Sequence, residues 1–188
     1  MLSGNLIRTR ILIIGSNGML GQRLAEYFSS TNNYELMCAS AEPESFVQGV
    51  DYKSVDITKK NEVRKLILNF FPDFVINAAG YTNVDKAENE RELAWKINVN
   101  GVENIALYSW TIDAHMIHIS TDYIFDGKKG PYTENDKPCP ISYYGRTKLA
   151  GENSIRTSGV RYTIIRTNVL YSPAKYGRPD FVKWVINS

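Results

Sequence analysis

Residues 11–21 read Ile11-Leu12-Ile13-Ile14-Gly15-Ser16-Asn17-Gly18-Met19-Leu20-Gly21, and this stretch decides the fold of the chain. Four apolar residues lead directly into three glycines spaced three apart, and the amphipathic run Met19–Ser29 follows. A buried strand, a glycine turn and a helix in this order predict the first unit of a nucleotide-binding α/β sheet. Such a turn lets phosphate groups approach the free N–H groups at the helix N-terminus.

The rest of the chain alternates short apolar runs with longer amphipathic runs, which is typical of a parallel sheet covered by helices. The pattern predicts strands at Arg10–Ile14, Glu35–Ala39, Tyr52–Val55, Phe74–Asn77, Met116–Ser120 and Arg161–Arg166. It predicts helices at Met19–Ser29, Lys59–Phe70, within Glu88–Thr111 and at Ser142–Thr157. We therefore predict an α/β fold, a Rossmann-type doubly wound parallel sheet with helices on both faces and early strands that are apolar on both sides.

The composition excludes several classes of protein. The 188 residues suit one domain, and a formal net charge of +2 without a block of Lys or Arg argues against a nucleic-acid partner. The apolar runs are too short to span a bilayer, so no membrane partner is expected. The two cysteines, Cys38 and Cys139, lack metal-site spacing, and we expect Cys38 to be a buried free thiol in a reducing, cytoplasmic compartment.

The glycine turn predicts a dinucleotide site. Gly15 permits a tight turn, Gly18 lets the helix backbone approach a pyrophosphate, and Gly21 lets the helix pack closely on the sheet. A purely structural glycine turn is the alternative. The same segment also contributes Asn17, Met19 and Leu20 to the predicted cofactor site.

Positions after the second and third strands bear on the adenosine end of the cofactor. Asp56-Ile57 would contact the adenine, although Asp56 is equally explained as a helix cap. An acidic residue after the second strand favours NAD and an arginine favours NADP. Ser40 is neutral there, and Glu42 comes slightly late. Arg23 is a candidate for a 2′-phosphate, and an exposed helix residue without such a role is the alternative. The choice between NADH and NADPH stays open.

A second pattern predicts proton transfer. Tyr144 and Lys148 lie one helical turn apart on the same face, and Thr121 precedes them at the end of a strand. The ammonium of Lys148 is expected to lower the pKa of Tyr144, which would pass a proton to a carbonyl oxygen that Thr121 polarises. A Tyr-x-x-x-Lys spacing that arises by chance is the alternative, and Tyr143 is off the shared face.

Three longer blocks resemble the dTDP-4-dehydrorhamnose reductase family of the extended short-chain dehydrogenase/reductase superfamily. They are Asn77-Ala78-Ala79-Gly80-Tyr81-Thr82-Asn83-Val84-Asp85-Lys86-Ala87-Glu88, Ile119-Ser120-Thr121-Asp122-Tyr123-Ile124-Phe125-Asp126-Gly127 and Tyr144-Gly145-Arg146-Thr147-Lys148-Leu149-Ala150-Gly151-Glu152. The resemblance runs from about Arg10 to the end of the chain. It implies reduction of the C4 keto group of a dTDP-deoxysugar by NADPH or NADH in dTDP-rhamnose biosynthesis, with a tyrosine as general acid.

The motifs and the resemblance together define the expected site. The catalytic residues are Thr121, Tyr144 and Lys148. The cofactor-binding residues are Gly15, Asn17, Gly18, Met19, Leu20, Asp56, Ile57, Ala78, Ala79, Tyr81, Asn98, Tyr144 and Lys148. The substrate-binding residues are Thr121, Asp122, Tyr123, Tyr144 and Asn168. No metal is expected, because Arg23 stands where some members of the family place a magnesium-binding Glu.

The resemblance also divides the chain. Residues 1–9 are expected to be a leader or an expression remnant, and residues 10–178 an NAD(P)-binding domain that includes the catalytic residues. Residues 179–188 would begin a C-terminal substrate lobe that is largely missing. A departure from the family pattern at Asn168, where no Trp follows, leaves the exact sugar open.

Two other functions remain compatible with the residues. One is a non-catalytic NADP-binding regulatory subunit that resembles the one of methionine adenosyltransferase. The other is a sugar-nucleotide epimerase or dehydratase, although Tyr123 stands where a dehydratase usually has a second acid. A nucleotide-sugar substrate and a possible homodimer complete the expected partners.

Overall fold

The computed structural model describes residues 8–31 and 33–171. Within them, one parallel sheet has the strand order β3-β2-β1-β4-β5-β6. The strands are β1 (Thr9–Ile14), β2 (Tyr34–Ser40), β3 (Asp51–Ser54), β4 (Phe74–Asn77), β5 (His115–Thr121) and β6 (Arg161–Thr167). Each predicted strand is present, with both ends within one residue of the prediction. The expected segment 179–188 and residues 1–7 of the expected leader lie outside the described residues.

The helices follow the predicted alternation with one interruption. They are α1 (Met19–Ser29), α2 (Lys60–Phe70), α3 (Val84–Ala87), α4 (Arg91–Trp95), α5 (Val102–Thr111) and α6 (Tyr143–Thr157). The helix predicted within Glu88–Thr111 is divided, because α4 passes into the π-helical segment Lys96–Gly101 before α5 begins. The short helix α3 was not predicted; the side chain of Asn83 caps it by accepting the N–H of Lys86.

Strand β1 lies at the centre of the core and is covered on both faces. Leu12 and Ile14 face the cluster that contains α2 and α5, whereas Ile11 and Ile13 pack with Ala25 of α1 on the other face. All four strand residues are at most 4% exposed. The alternation of side chains along a strand explains this division, and it confirms helices on both faces of the sheet.

Strand β3, at one edge of the sheet, differs from the expected apolar pattern. Strand β3 was expected to be apolar on both sides, but Asp51, Lys53 and Ser54 are exposed at the edge of the sheet. Charged residues at an edge strand discourage pairing with another chain, which is a physical reason for polar residues there. The expectation holds for the central strand β1 and is wrong for β3.

The strand order reverses between β1 and β4, and this switch point positions the candidate site. The N–H of Ala78, just after β4, donates to the carbonyl of Ile14 at 2.8 Å, so the two strand ends stay together. Ligands of open α/β sheets bind in the crevice at such a point. A cavity of about 480 Å³, lined by Thr9, Phe74 and His115 among others, lies at the opposite ends of the strands.

Candidate active site

The turn after β1 requires glycine at its first position. Gly15 has a φ of +85°, and a Cβ built on it would lie 2.7 Å from Cα of Ala79. The N–H groups of Gly15 and Ser16 both donate to the carbonyl of Ala39, at 2.7 and 3.1 Å. The turn is therefore held between the ends of β2 and β4.

The first turn of α1 fits a phosphate group. Gly18 is the N-cap, no side chain caps this end, and the first turn contains no acidic residue. The N–H groups of Met19 and Leu20 belong to the first turn, where no intrahelical acceptor exists. A Cβ built on Gly21 would lie 2.7 Å from Cα of Ser16, so only glycine lets the helix pack this closely. The geometry matches a pyrophosphate cradle.

Asn17 connects this turn to the loop after β2. The residue is 3% exposed, and its backbone N–H donates to Oγ of Ser40 at 3.0 Å. Its side-chain amide donates to the carbonyl of Glu44 at 2.8 Å and accepts the N–H of Phe46 at 2.9 Å. The predicted cofactor contact at Asn17 is thus accompanied by a structural role that the sequence did not reveal.

The predicted catalytic residues come together at the end of β5 and the start of α6. The hydroxyl of Ser142 accepts the N–H of Gly145 at 3.1 Å and so starts the helix that carries Tyr144 and Lys148. Both of these side chains are buried, and the hydroxyl of Thr121 lies close enough to Tyr144 to lower its pKa. The arrangement places a proton donor and a second hydroxyl at one point.

Burial raises the pKa of Tyr144, and the hydrogen bond with Thr121 opposes that shift. The sequence predicted the opposite direction, on the assumption that the ammonium of Lys148 would act on Tyr144. In the structure, Nζ of Lys148 instead donates to the carbonyl of Ile119 at 2.7 Å. Tyr144 is therefore kept in its protonated, acid form.

The environment of Lys148 contains a histidine that the sequence analysis left aside. Burial lowers the pKa of Lys148 to about 8, against the charge of Glu152. Nε2 of His118 lies 3.4 Å from Nζ of Lys148, and Nδ1 of His118 lies 3.1 Å from the amide nitrogen of Asn77. Burial, and then the charge of Lys148, hold the pKa of His118 well below its usual value.

Asn98 holds the loop after β4 against α6. It lies in the π-helical segment and is 1% exposed. Its Oδ1 accepts the N–H of Tyr81 at 2.8 Å, and its Nδ2 donates to the carbonyl of Tyr81 at 3.1 Å and to Oγ1 of Thr147 at 3.0 Å. The hydroxyl of Tyr81 donates to Glu90 at 2.7 Å. The structure therefore joins two predicted cofactor residues, Tyr81 and Asn98, directly.

A buried carboxylate beside the site was also missed. Glu152 is fully buried; it accepts the hydroxyl of Ser120 at 2.6 Å and two N–H groups of Arg166 at 2.8 and 3.1 Å. Arg156 adds an ion pair at 3.0 Å. Burial alone would raise the pKa of Glu152, but the bonds from Arg166 and Ser120 lower it. This cluster ties β5, next to Thr121, to α6 and β6.

The predicted site residues Asp56, Ile57 and Asn168 make mainly local contacts. Oδ1 of Asp56 accepts the N–H of Thr58 at 2.9 Å and its hydroxyl at 2.8 Å, just before α2 begins. Ile57 is buried. Asn168 is exposed and its Oδ1 accepts the N–H of Val169.

Two residues that follow Thr121 border the site. Oδ1 of Asp122 accepts the hydroxyl of Thr121 at 3.2 Å, and the ring of Tyr123 meets that of Tyr144 edge-on at 5.8 Å.

In residues 8–31 and 33–171, no group of three or more His, Cys, Asp or Glu is arranged to hold a metal ion. No helix in this same part of the chain is long and apolar enough to cross a membrane.

Comparisons with known proteins show what the whole chain is similar to. A dTDP-4-dehydrorhamnose reductase of Aggregatibacter actinomycetemcomitans is 36% identical over 178 residues, which are 94% of this chain and 56% of that protein. The methionine adenosyltransferase 2 subunit beta of Bos taurus is 32% identical over 169 residues, 89% of this chain and 48% of that protein.

A solved structure is similar over most of the chain. The dTDP-4-dehydrorhamnose reductase of Bacillus anthracis, crystallised with NADP, superposes with a TM-score of 0.81 at 36% identity; the match covers 96% of this chain and 59% of that one. The chain thus spans about half the length of the relatives it matches. The sequence model of the RmlD substrate binding domain matches residues 9–188. The chain belongs to the RmlD substrate binding domain family.

Proposed function

We propose that this chain is the cofactor-binding and catalytic part of a reductase that uses NADH or NADPH to reduce the C4 keto group of a dTDP-deoxysugar, as in dTDP-rhamnose biosynthesis. The observation that carries the proposal is that Thr121, at the end of β5, meets buried Tyr144 and Lys148, at the start of α6, beside the switch point of the sheet. Support comes from the relative named dTDP-4-dehydrorhamnose reductase and from the Bacillus anthracis structure with NADP.

Tyr144, Thr121 and Lys148 each have a separate role in the proposed reaction. A bound reduced nicotinamide would supply hydride to the carbonyl carbon. Tyr144 donates the proton of its hydroxyl to the carbonyl oxygen, and Thr121 donates a hydrogen bond to the same oxygen. Because burial raises the pKa of Tyr144, the acid form is available at neutral pH. Lys148, one helical turn away, would hold the nicotinamide ribose.

Turnover of a dTDP-4-keto-6-deoxysugar, followed by the loss of reduced-nicotinamide absorbance, tests the proposal. The substitution Tyr144→Phe should lower kcat about 100-fold or more, since it removes the general acid. The dissociation constant of the cofactor should change much less than kcat, because phenylalanine keeps the aromatic ring. Tyr143→Phe is the matched control and should retain activity. Full turnover by Tyr144→Phe would refute the assignment of Tyr144.

A regulatory subunit is the second candidate function. It is supported by the 32% identity to the beta subunit of methionine adenosyltransferase 2. A protein that acts only by association keeps its function in the Tyr144→Phe variant, because no proton is transferred. Absence of reductase activity in the wild type, together with binding to a methionine adenosyltransferase catalytic subunit, would favour this candidate.

A cytoplasmic location is part of the proposal. Cys38, which is buried, and Cys139, which is exposed, are both free thiols. Free thiols are typical of a reducing compartment.

A further inference from the structure

The start of α6 is held by side chains from two different parts of the chain. Oγ of Ser142, the N-cap, accepts the N–H of Gly145 at 3.1 Å. Oε1 of Glu88 accepts the N–H of Tyr143 at 2.7 Å, across 55 residues of sequence. The first N–H groups of a helix have no intrahelical acceptor, and a carboxylate beside them is favourable. Glu88 therefore attaches the first turn of α6 to the segment 84–95, which contains α3 and α4.

Glu88 is itself held in place by an arginine. Nη2 of Arg91 lies 3.3 Å from Oε2 of Glu88, and Nε of Arg91 donates to the backbone carbonyl of Glu88 at 3.0 Å. The same guanidinium lies 5.0 Å from the centre of the Tyr143 ring. The hydrogen bond from the N–H of Tyr143, and then the contact with Arg91, lower the pKa of Glu88, so the carboxylate is ionised at neutral pH. Arg91 thus contacts both partners of the bond between Glu88 and Tyr143.

The segment that carries Glu88 also forms the apolar surface against which Tyr144 packs. Ala87 and Ala94 are fully buried, and they form one cluster with Tyr144. Tyr144 directly follows Tyr143, so a displacement of the first turn of α6 would move the phenol ring along this surface. The bond from Glu88 acts on the neighbouring backbone N–H, and it therefore determines where the ring lies.

We propose that Glu88 is a positioning residue for Tyr144. By holding the N–H of Tyr143, its carboxylate keeps the hydroxyl of Tyr144 beside Thr121, where the carbonyl oxygen of the substrate would receive its proton. Glu88 acts through the backbone and takes no part in the proton transfer. The inference rests on the role of Tyr144 in the proposed function and adds to it a residue outside the catalytic set.

The first test needs no turnover. Glu88→Ala should lower the pKa of Tyr144 toward its usual value, because burial raises this pKa and release of the first turn lets water reach the ring. An NMR titration that follows Cζ of Tyr144 in carbon-13-labelled protein, assigned with Tyr144→Phe, measures the change. Glu88→Gln keeps an oxygen acceptor for the N–H of Tyr143 and should restore most of the wild-type value.

The second test is turnover of the dTDP-4-keto-6-deoxysugar. Glu88→Ala should lower kcat about tenfold, because a small displacement of a reacting group is costly. KM should change much less, since the affected group acts in the chemical step. Glu88→Gln should recover most of kcat. Glu92→Ala is the matched control, because this carboxylate lies in the same segment but pairs with Lys96; it should change neither the pKa of Tyr144 nor kcat.

The N–H of residue 143 can also be removed separately. Proline is tolerated at the first position of a helix, and Ser142 already has the extended backbone, with φ −94° and ψ 162° replaced here by its own ψ of 156°, that a following proline requires. Tyr143→Pro and Tyr143→Ala both lose the ring, but only proline lacks the N–H. Glu88→Ala should therefore lower kcat and the pKa of Tyr144 in the alanine background and have no further effect in the proline background.

Equal effects of Glu88→Ala in the two backgrounds would overturn the inference and leave the reductase proposal standing. An unchanged pKa of Tyr144 in Glu88→Ala, with the fold checked by thermal unfolding, would do the same. Absence of turnover in the wild type would overturn the reductase proposal, and the NMR titration alone would then decide whether Glu88 positions Tyr144.

Discussion

The amide nitrogen of Asn77 lies 3.1 Å from Nδ1 of His118, and this contact determines the tautomer of the histidine. The amide oxygen of Asn77 accepts the N–H of Ala79 at 3.1 Å, so the NH₂ group must face the ring. Nδ1 then accepts, and Nε2 of the neutral ring carries the proton that faces Nζ of Lys148. A neutral amine can accept that proton and an ammonium cannot, so the contact favours uncharged Lys148.

Asn77→Asp should reverse this tautomer. The aspartate has the same shape, and its oxygens accept both the N–H of Ala79 and a proton on Nδ1 of His118. Nε2 then becomes an acceptor for the ammonium of Lys148, so the pKa values of His118 and Lys148 should both rise. Long-range proton–nitrogen NMR spectra of the imidazole report the tautomer. Asn153→Asp, at an exposed amide of α6, should leave them unchanged, and a persistent Nε2–H form in Asn77→Asp would contradict the argument.

The stability of the protein should depend on pH through Lys148. Burial lowers its folded-state pKa to about 8 from 10.5, so the unfolded chain binds the extra proton between those values. The free energy of unfolding contributed by this site therefore rises with pH across that window. Relative to Lys148→Met, the wild type should gain about 3 kcal/mol between about pH 7 and pH 10.5. Urea denaturation over this range measures the difference, and parallel curves for the two proteins would disprove it.

Two glycines of the phosphate turn should respond differently to alanine. Gly21→Ala puts a Cβ against backbone atoms of Ser16 and should cost about 1–3 kcal/mol of stability. Gly18→Ala meets only the carbonyl of Gly15, at 3.2 Å, and should cost less. It should still weaken dinucleotide binding, because the methyl group stands where the backbone approaches the pyrophosphate. Denaturation and cofactor titration of both variants separate these effects; equal stability losses would argue against the packing account.

The ion-pair cluster around Glu152 should be important for stability. Glu152→Gln turns an NH₂ group toward the guanidinium of Arg166 and leaves that half-buried charge without a carboxylate, which should cost about 3 kcal/mol. The ion pair lowers the pKa of Glu152, so its contribution should be present near neutral pH and disappear as pH falls through the folded-state pKa. Chemical denaturation against pH measures this.

Glu92→Gln is the control for the cluster. The ion pair between Glu92 and Lys96 is exposed, so its loss should change stability little. If both substitutions have similar small effects, the cluster around Glu152 does not stabilise the fold.

The local pattern of apolar residues and glycines was sufficient to predict much of the fold. Strand β1 and helix α1 follow from the apolar run and the glycines, and the structure confirms α1 with the predicted ends. The division of the helix within Glu88–Thr111 was not predictable, since the π-helical segment depends on the packing of buried Asn98 against α6 and the loop after β4. The exposed edge β3 was misjudged because a strand's position in the sheet is not encoded in its own residues.

The residues of the site also differ in whether local sequence pattern could predict them. Tyr144 and Lys148 were predicted because residues four apart lie on the same face of a helix. Thr121 was predicted because it lies at the end of a strand. His118 and Glu152 were missed because their partners lie 41, 30 and 32 residues away. A usable signal existed, since His118 and Ser120 alternate with Met116 on one face of β5. If this face of β5 had been predicted to pack against α6, His118 would have been placed next to Lys148 and Ser120 next to Glu152.

The π-helical segment Lys96–Gly101 has a consequence for insertions and deletions in this region. A π-helical turn contains one residue more than an α-helical turn, and Asn98 reaches its partners from that wider turn. Removing one residue here would restore a regular α-helix, but it would also remove the wider turn from which Asn98 contacts Tyr81 and Thr147. Changes of chain length should therefore be tolerated in the loop 125–142 and rejected between α4 and α5, even where substitution of exposed residues is harmless.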